Sequence, residues 1–388
     1  MSERMAIVGL GYADIRSCTP GISYKELMYE AATRAYDDAG INPRKQVDSF
    51  ISVSEDFWEG TSIFDEYVPD QLGAALRPVH TVCGDGLQAL SCAAMLIETG
   101  QAQIVAVEGH SKHSDMCTPH HIHQLAFDPI YHRPLGAHPQ HLAGLEMARF
   151  LHESENTREH CGLVVQKNRR NALKNPRSVY GSDLSLQDIL DAEPTFTPMG
   201  VLDAAQPADG AFVVVVAAER KAKALSTHPV WIRGYGWCTE TPAVDSRSWG
   251  EAAYARLAAH QAYRMAKITA PARELDFAEV DDSFSYKELQ HLEALDICPQ
   301  GAAGAWLQAG ITQTGGEFPV NVSGGSLGVG YFLEASGLMR LTEAVLQLRG
   351  QAGAGQLPAV RRGLVQSWRN LPTTTGCVVI LERADGRE

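Results

Sequence analysis

The sequence predicts an α/β protein made of two similar halves, and three observations carry that reading. Strand-like apolar runs (5–10, 50–53, 104–107 and 211–219) alternate with helix-like segments, and their continuous apolar character suits a sheet covered on both faces. Near Ser226-Thr-His-Pro229 the pattern restarts with Val230-Trp-Ile-Arg-Gly-Tyr-Gly. Two strand-to-glycine turns, Pro78-Val-His-Thr-Val-Cys-Gly-Asp-Gly-Leu and Pro319-Val-Asn-Val-Ser-Gly-Gly-Ser-Leu-Gly, share one shape.

The elements follow in order. A strand starts at Met5, and a helix is expected from Tyr24 to Gly40, a glycine being favoured just past a last helical turn. The strand 50–53 precedes the first glycine turn, which feeds a helix from Leu87 and then the strand 104–107. After the restart come a helical run from Glu251 to Ala266, a strand at 277–280 and the second glycine turn. The last run, Cys377-Val-Val-Ile-Leu-Glu, mirrors the Val213-Val-Val-Val that closes the first half. The expected halves are 1–225, with a loop layer around 110–200, and 226–388.

The 388 residues, 45% apolar, suffice for a large core. A formal charge of −13 argues against a nucleic-acid surface. No apolar run approaches the roughly eighteen residues of a membrane span, and the N-terminus lacks the shape of a signal peptide. Eight cysteines without a Cys-x-x-Cys pair suggest neither a zinc ribbon nor a disulfide framework, so a reduced, cytoplasmic enzyme is expected. Gly-x-Gly-x-x-Gly and Gly-Lys-Ser/Thr are both missing, which argues against NAD and ATP chemistry.

Cys83 stands where the first glycine turn enters its helix. A thiol at a helix N-terminus faces free N–H groups and the positive end of the dipole, which favours the nucleophilic thiolate. The alternative is a small buried residue. Eight of the fourteen histidines fall between His110 and His141. They read as a lid and interface loop rather than a metal site, because no ligand set has firm spacing.

Taken together, these segments resemble the thiolase superfamily over nearly the whole chain. Val82-Cys-Gly-Asp-Gly-Leu-Gln-Ala-Leu resembles its nucleophilic-cysteine turn, and Lys167-Asn-Arg-Arg-Asn-Ala-Leu-Lys-Asn-Pro the basic helix and loop of sterol-carrier-type thiolases. Gln206-Pro-Ala-Asp-Gly-Ala resembles their Cys-Pro-x-x-Asp-Gly-Ala, and Asn321-Val-Ser-Gly-Gly their Asn-x-x-Gly-Gly. The resemblance implies two βαβαβαββ halves in a five-layered α-β-α-β-α core. It is nearest to bacterial and archaeal thiolase-like subunits that pair with an OB-fold/zinc-ribbon protein, benzoylsuccinyl-CoA thiolase-like subunits among them. It further implies coenzyme A as a substrate, a homodimer, a heterotetramer with the second subunit, and no metal in this chain.

Three departures matter. Asp281 stands where the family has the histidine of His-Glu/Asp-x-Phe, Tyr331 follows Gly330 where Gly-His-Pro is usual, and Trp368-Arg-Asn-Leu-Pro replaces Cys-x-Gly. His138 then becomes the expected acid/base partner of Cys83, since imidazole titrates near neutrality. Tyr331 is expected to donate a hydrogen bond to an oxyanion or thioester, or to pack as an aromatic. Asp281 and Asp282 are expected to orient His138, polarise a water, or cap the helix 285–295. Gly325 and Asn370 are candidates for oxyanion or substrate positioning. Lys167, Arg169 and Arg170, with Lys174 and Arg177, are the expected phosphate contacts of coenzyme A or else a solvated helix face.

The function that follows is cleavage of a 3-oxoacyl-CoA, aromatic ones such as benzoylsuccinyl-CoA included, through an acyl-cysteine. A retro-aldolase of the sterol side-chain type, suggested by Tyr331, is the first alternative. A Friedel–Crafts-type acyltransferase and a non-catalytic acyl-CoA-binding scaffold are the others.

Overall fold

The computed structural model describes residues 3–136, 138–372 and 374–384; the expected outer limits of the two halves, residues 1 and 388, lie outside them. Nine strands form one mixed sheet. In chain order they are β1 (Met5–Arg16), β2 (Ser49–Val53), β3 (Val79–Val82), β4 (Ile104–Ser111), β5 (Asp209–Ala218), β6 (Val230–Thr239), β7 (Phe277–Glu279), β8 (Arg362–Trp368) and β9 (Thr375–Arg383). The spatial order is β3-β2-β4-β5-β1-β6-β9-β8-β7.

The repeat seen in the sequence is explicit in that order. In the first half the third, second, fourth, fifth and first strands lie side by side. In the second half β6, β7, β8 and β9 take the first, second, fourth and fifth places, and an isolated parallel bridge from Ala278 to Val320 fills the third. The halves join edge to edge, Met5 opposite Ile232 and Ile7 opposite Val230, so one continuous sheet runs through both.

The helices that position the site are α1 (Tyr24–Ala39), α2 (Gly86–Glu98), α3 (Pro139–Glu153), α4 (Arg158–Ala172), α5 (Ala253–Ala266), α6 (Ser285–Ala294), α7 (Gly325–Val329) and α8 (Ser336–Arg349). α1 covers β1 and β5 on one outer face, and α5 covers β6 and β9 on the other. α2 and α8 touch each other and strands of both halves, which makes them the middle layer. The layers are therefore helix, the first half's strands, helix, the second half's strands, helix.

The first strand of each half carries Gly-x-Gly for the same reason. A Cβ at Gly11 would lie 2.1 Å from the Ala31 carbonyl oxygen, and one at Gly234 2.2 Å from that of Ala262. Only a bare Cα lets α1 and α5 sit so close to their strands. α1 is closed at its start by the reciprocal Ser23–Glu26 capping box and at its end by Gly40 at φ 64°. β5 is buried along its whole length between β4 and β1, which accounts for its unbroken run Phe212-Val-Val-Val-Val.

Candidate active site

Cys83 follows the last residue of β3, and its side chain reaches solvent. The helix start, however, belongs to Asp85, whose carboxylate accepts the Leu87 N–H at 2.8 Å. Cys83 thus stands two residues before the cap. Partial burial pushes its thiol up; Asp56, Glu55 and Glu334 push the same way, and Arg369 alone opposes them. Arg369 is itself ion-paired with Glu55. The thiolate preference expected from the helix start is therefore corrected: the surroundings favour the protonated thiol.

A cavity of about 260 Å³ lies beside this turn. It gathers His138, Tyr331 and Asn370, three of the residues singled out from the sequence, together with His113, His120, His123, Phe284 and Leu333. Cys83 is not among its lining residues.

Tyr331 is there because the second half breaks its middle helix. α7 ends at Gly330 with φ 132°, Leu333 takes φ 52°, and α8 begins only at Ser336. The intervening segment is pinned to 206–208: the Tyr331 N–H donates to the Gln206 carbonyl at 2.9 Å, and the Ala208 N–H to the Tyr331 carbonyl at 3.0 Å. Burial, with Glu334 adding to it, pushes the phenol well above its ordinary range, and the Asn370 amide donates to its oxygen at 3.4 Å. At neutral pH Tyr331 is a proton-bearing donor.

His138 caps α3, its Nδ1 accepting the Gln140 N–H at 3.2 Å. The neutral ring therefore carries its proton on Nε2 and acts as a donor. Burial lowers its pKa, with His120 adding to the effect. His123 is held down to about 4, again first by burial and then by Arg369. Burial lowers His113 as well. These imidazoles are neutral at working pH. The sequence expectation for this cluster is a lid and interface loop; His113, His120, His123 and His138 instead line the cavity wall.

Asp209 of the Gln-Pro-Ala-Asp-Gly segment fixes that wall. Its carboxylate accepts the Lys112 ammonium at 2.9 Å, the Ser114 N–H at 3.0 Å and the Thr19 N–H at 2.9 Å. The loop carrying His113 is thereby tied to the first residue of β5.

Other expectations are corrected. Asp281 is fully buried, paired with Arg340 at 2.7 Å, and lies outside the cavity lining, so it neither orients His138 nor meets substrate. Asp282 does cap a helix, but α7 rather than α6: it accepts the Ser326 N–H at 2.6 Å and the Leu327 N–H at 3.2 Å. The Gly325 N–H is taken by Ser323 Oγ at 3.2 Å, which leaves it no oxyanion to receive, and a Cβ there would strike Asp282. Lys167 is buried against Glu288 at 3.1 Å and the Val320 carbonyl at 2.8 Å, so it is not available to a phosphate. Arg169 is 8% exposed and its pKa is lowered by burial. Arg170 and Lys174 face solvent, and Arg170 pairs with Asp183 at 2.8 Å. The expected basic patch is thus dispersed, because α4 turns successive residues to different faces.

Among the described residues no group of three or more His, Cys, Asp or Glu is arranged to hold a metal ion, and no helix is long and apolar enough to cross a membrane.

The doubled α/β fold carries a histidine-walled cavity lined from both of its halves, and comparisons with known proteins show what it is similar to. Residues 238–383 match the family model described as "Thiolase C-terminal domain-like". The chain is 27% identical to an acetyl-CoA acetyltransferase of Methanothermobacter thermautotrophicus, over 89% of this chain and 91% of that one. It is 26% identical to the 17-hydroxy-3-oxo-4-pregnene-20-carboxyl-CoA lyase of Mycobacterium tuberculosis, over 96% and 98%. Among solved structures, the Ltp2-ChsH2(DUF35) aldolase superposes with a TM-score of 0.85 at 25% identity, covering 98% of this chain and 97% of that one. The chain is thus similar in sequence to thiolases and their relatives, and its described residues have a thiolase-like fold.

Proposed function

We propose that the chain cleaves a carbon–carbon bond of a β-hydroxyacyl-CoA by a retro-aldol reaction. The observation that carries this reading is the cavity itself: it brings Tyr331, His138 and His123 together and does not include Cys83. His123 takes the proton of the β-hydroxyl as the Cα–Cβ bond breaks, which gives a carbonyl product and a thioester enolate. The Tyr331 phenol and the His138 Nε2–H donate to the enolate oxygen where the charge develops. The proton held by His123 then returns to Cα, so no further reactant is needed. The likeness to a lyase and to an aldolase supports this choice. Coenzyme A is the carrier on this reading, and a second copy of the chain and a small separate subunit would complete the mouth.

A second reading is thiolysis of a 3-oxoacyl-CoA through Cys83, favoured by the solvent-reaching thiol beside Arg369 and by the likeness to an acetyltransferase. Two variants separate them. Tyr331→Phe is expected to lower retro-aldol turnover about a hundredfold, the usual scale for a lost proton donor. Cys83→Ala is expected to keep that turnover. An acyl adduct on Cys83 in intact-mass spectra, with activity lost in Cys83→Ala, would overturn the retro-aldol reading in favour of thiolysis.

A further inference from the structure

The cavity also selects what it binds. Its lining comprises imidazoles, prolines, alanines, Ser283, Phe284, Leu333, Tyr331 and the amides of Gln140, Gln206 and Asn370. Among the described residues, no Asp, Glu, Lys or Arg lines it. Arg369, which acts electrostatically on His123 and Tyr331, is ion-paired with Glu55 and faces Glu334. A carboxylate brought into such a wall would leave water without finding a lysine or arginine, which is disfavoured. A carbonyl, hydroxyl or phenol would instead meet the donors already there.

Size narrows the class further. An apolar cavity of about 150 Å³ is enough for a benzene ring, and drug-sized ligands occupy about 300 Å³ or more. At about 260 Å³, this cavity has room for one or two rings. Phe284 supplies a flat apolar wall, and His138 lies near-parallel to the ring of Phe196 at 6.1 Å, so the wall around it is aromatic on two sides.

We infer that the acyl group this site accepts is uncharged and carries one or two rings, and that acyl groups with a free carboxylate are rejected. This rests on the placement of the reaction in the cavity argued above. It excludes benzoylsuccinyl-CoA, whose succinyl arm carries such a carboxylate, and it excludes a tetracyclic steroid on grounds of size.

The test is a binding comparison with the full chain, using three acyl-CoA probes that have no β-hydroxyl and so cannot undergo the cleavage. They are 3-phenylpropionyl-CoA, 3-(4-carboxyphenyl)propionyl-CoA and a cholanoyl-CoA. Calorimetric dissociation constants are expected to favour the phenyl probe over each of the other two by at least about tenfold, the carboxylate finding no partner. Gln140→Arg, which places a guanidinium at the wall, is expected to narrow or reverse the phenyl-over-carboxyphenyl preference. Equal or tighter binding of the carboxyphenyl or cholanoyl probe, an unchanged ratio in Gln140→Arg, or no measurable binding of the phenyl probe would overturn the inference. Cleavage is read separately with 3-hydroxy-3-phenylpropionyl-CoA. Failure to release benzaldehyde while the binding preference holds sinks the retro-aldol reading and leaves the substrate class standing.

Discussion

The two glycine turns, 82–87 and 321–327, come from equivalent places in the duplicated halves and solve the same problem differently. In the first, the helix is capped from within: Asp85 accepts the Leu87 N–H, and α2 then runs unbroken from Gly86 to Glu98. In the second, the cap arrives from another strand end, Asp282 reaching Ser326 and Leu327, and the helix stops after five residues at Gly330. The break is what delivers Tyr331 to the cavity. A turn capped by its own residue supports a long helix beside a thiol at the surface; a turn capped from outside is free to end early and present a phenol.

The borrowed cap is expected to matter most. Asp282 accepts two N–H groups of α7 and the Asn168 amide at 2.8 Å, and it faces Arg340 at 3.8 Å, all fully buried. Asp282→Ala orphans these donors, a loss of about 3–5 kcal/mol. Urea unfolding measures it. A loss below that of the Asp85 variant would mean that α7 is held by its glycines and not by its cap.

The self-supplied cap comes next. Asp85 accepts from Leu87, from the Gly337 N–H at 3.2 Å and from the Ser367 hydroxyl, so it also ties α2 to α8 and β8. Asp85→Ala is expected to cost about 2–3 kcal/mol, a cap plus orphaned partners. Burial pushes Asp85 up to about 6. A carboxyl raised above its unfolded value of roughly 4 binds its proton more tightly in the fold, so its stabilisation is full below about pH 4 and fades as pH rises through about 6. The stability advantage of the native chain over Asp85→Asn should therefore grow on going from pH 7 to 4.5. An advantage that shrinks instead would show that Asp85 is ionised in the fold across this range.

The fold was legible because its signals are local. Unbroken apolar strands follow from covering a sheet on both faces, and Gly40 from closing α1. The site was legible in part. Tyr331, His138 and Asn370 do converge, since each sits at the end of an element that points to the same junction. What could not be read was non-local. Nothing near Asp281 says that Arg340, fifty-nine residues on by the numbering, will neutralise it in the core. Nothing near Cys83 says that Glu55, Asp56 and Glu334 will surround it. The helix-and-loop reading of 167–176 fits, since α4 ends at Ala172, yet the side each residue faces depends on α6 and on the Asn321 turn packed against α4.

That last point gives the smallest effect and a clean discrimination. Lys167 and Arg170 are three positions apart on α4, yet one is buried against Glu288 and the other lies in solvent beside Asp183. Were this segment a coenzyme A phosphate site, removing Arg170, which is accessible beside Lys174, would weaken acyl-CoA binding markedly. As an exposed pair with Asp183 it stabilises the fold by less than about 1 kcal/mol. Arg170→Ala is accordingly expected to shift unfolding by no more than that and to leave the KM for acyl-CoA unchanged. A several-fold rise in KM with kcat preserved would return Arg170 to the phosphate site that the sequence suggested, and would place the carrier's path along α4 rather than across the mouth formed by the histidine loop.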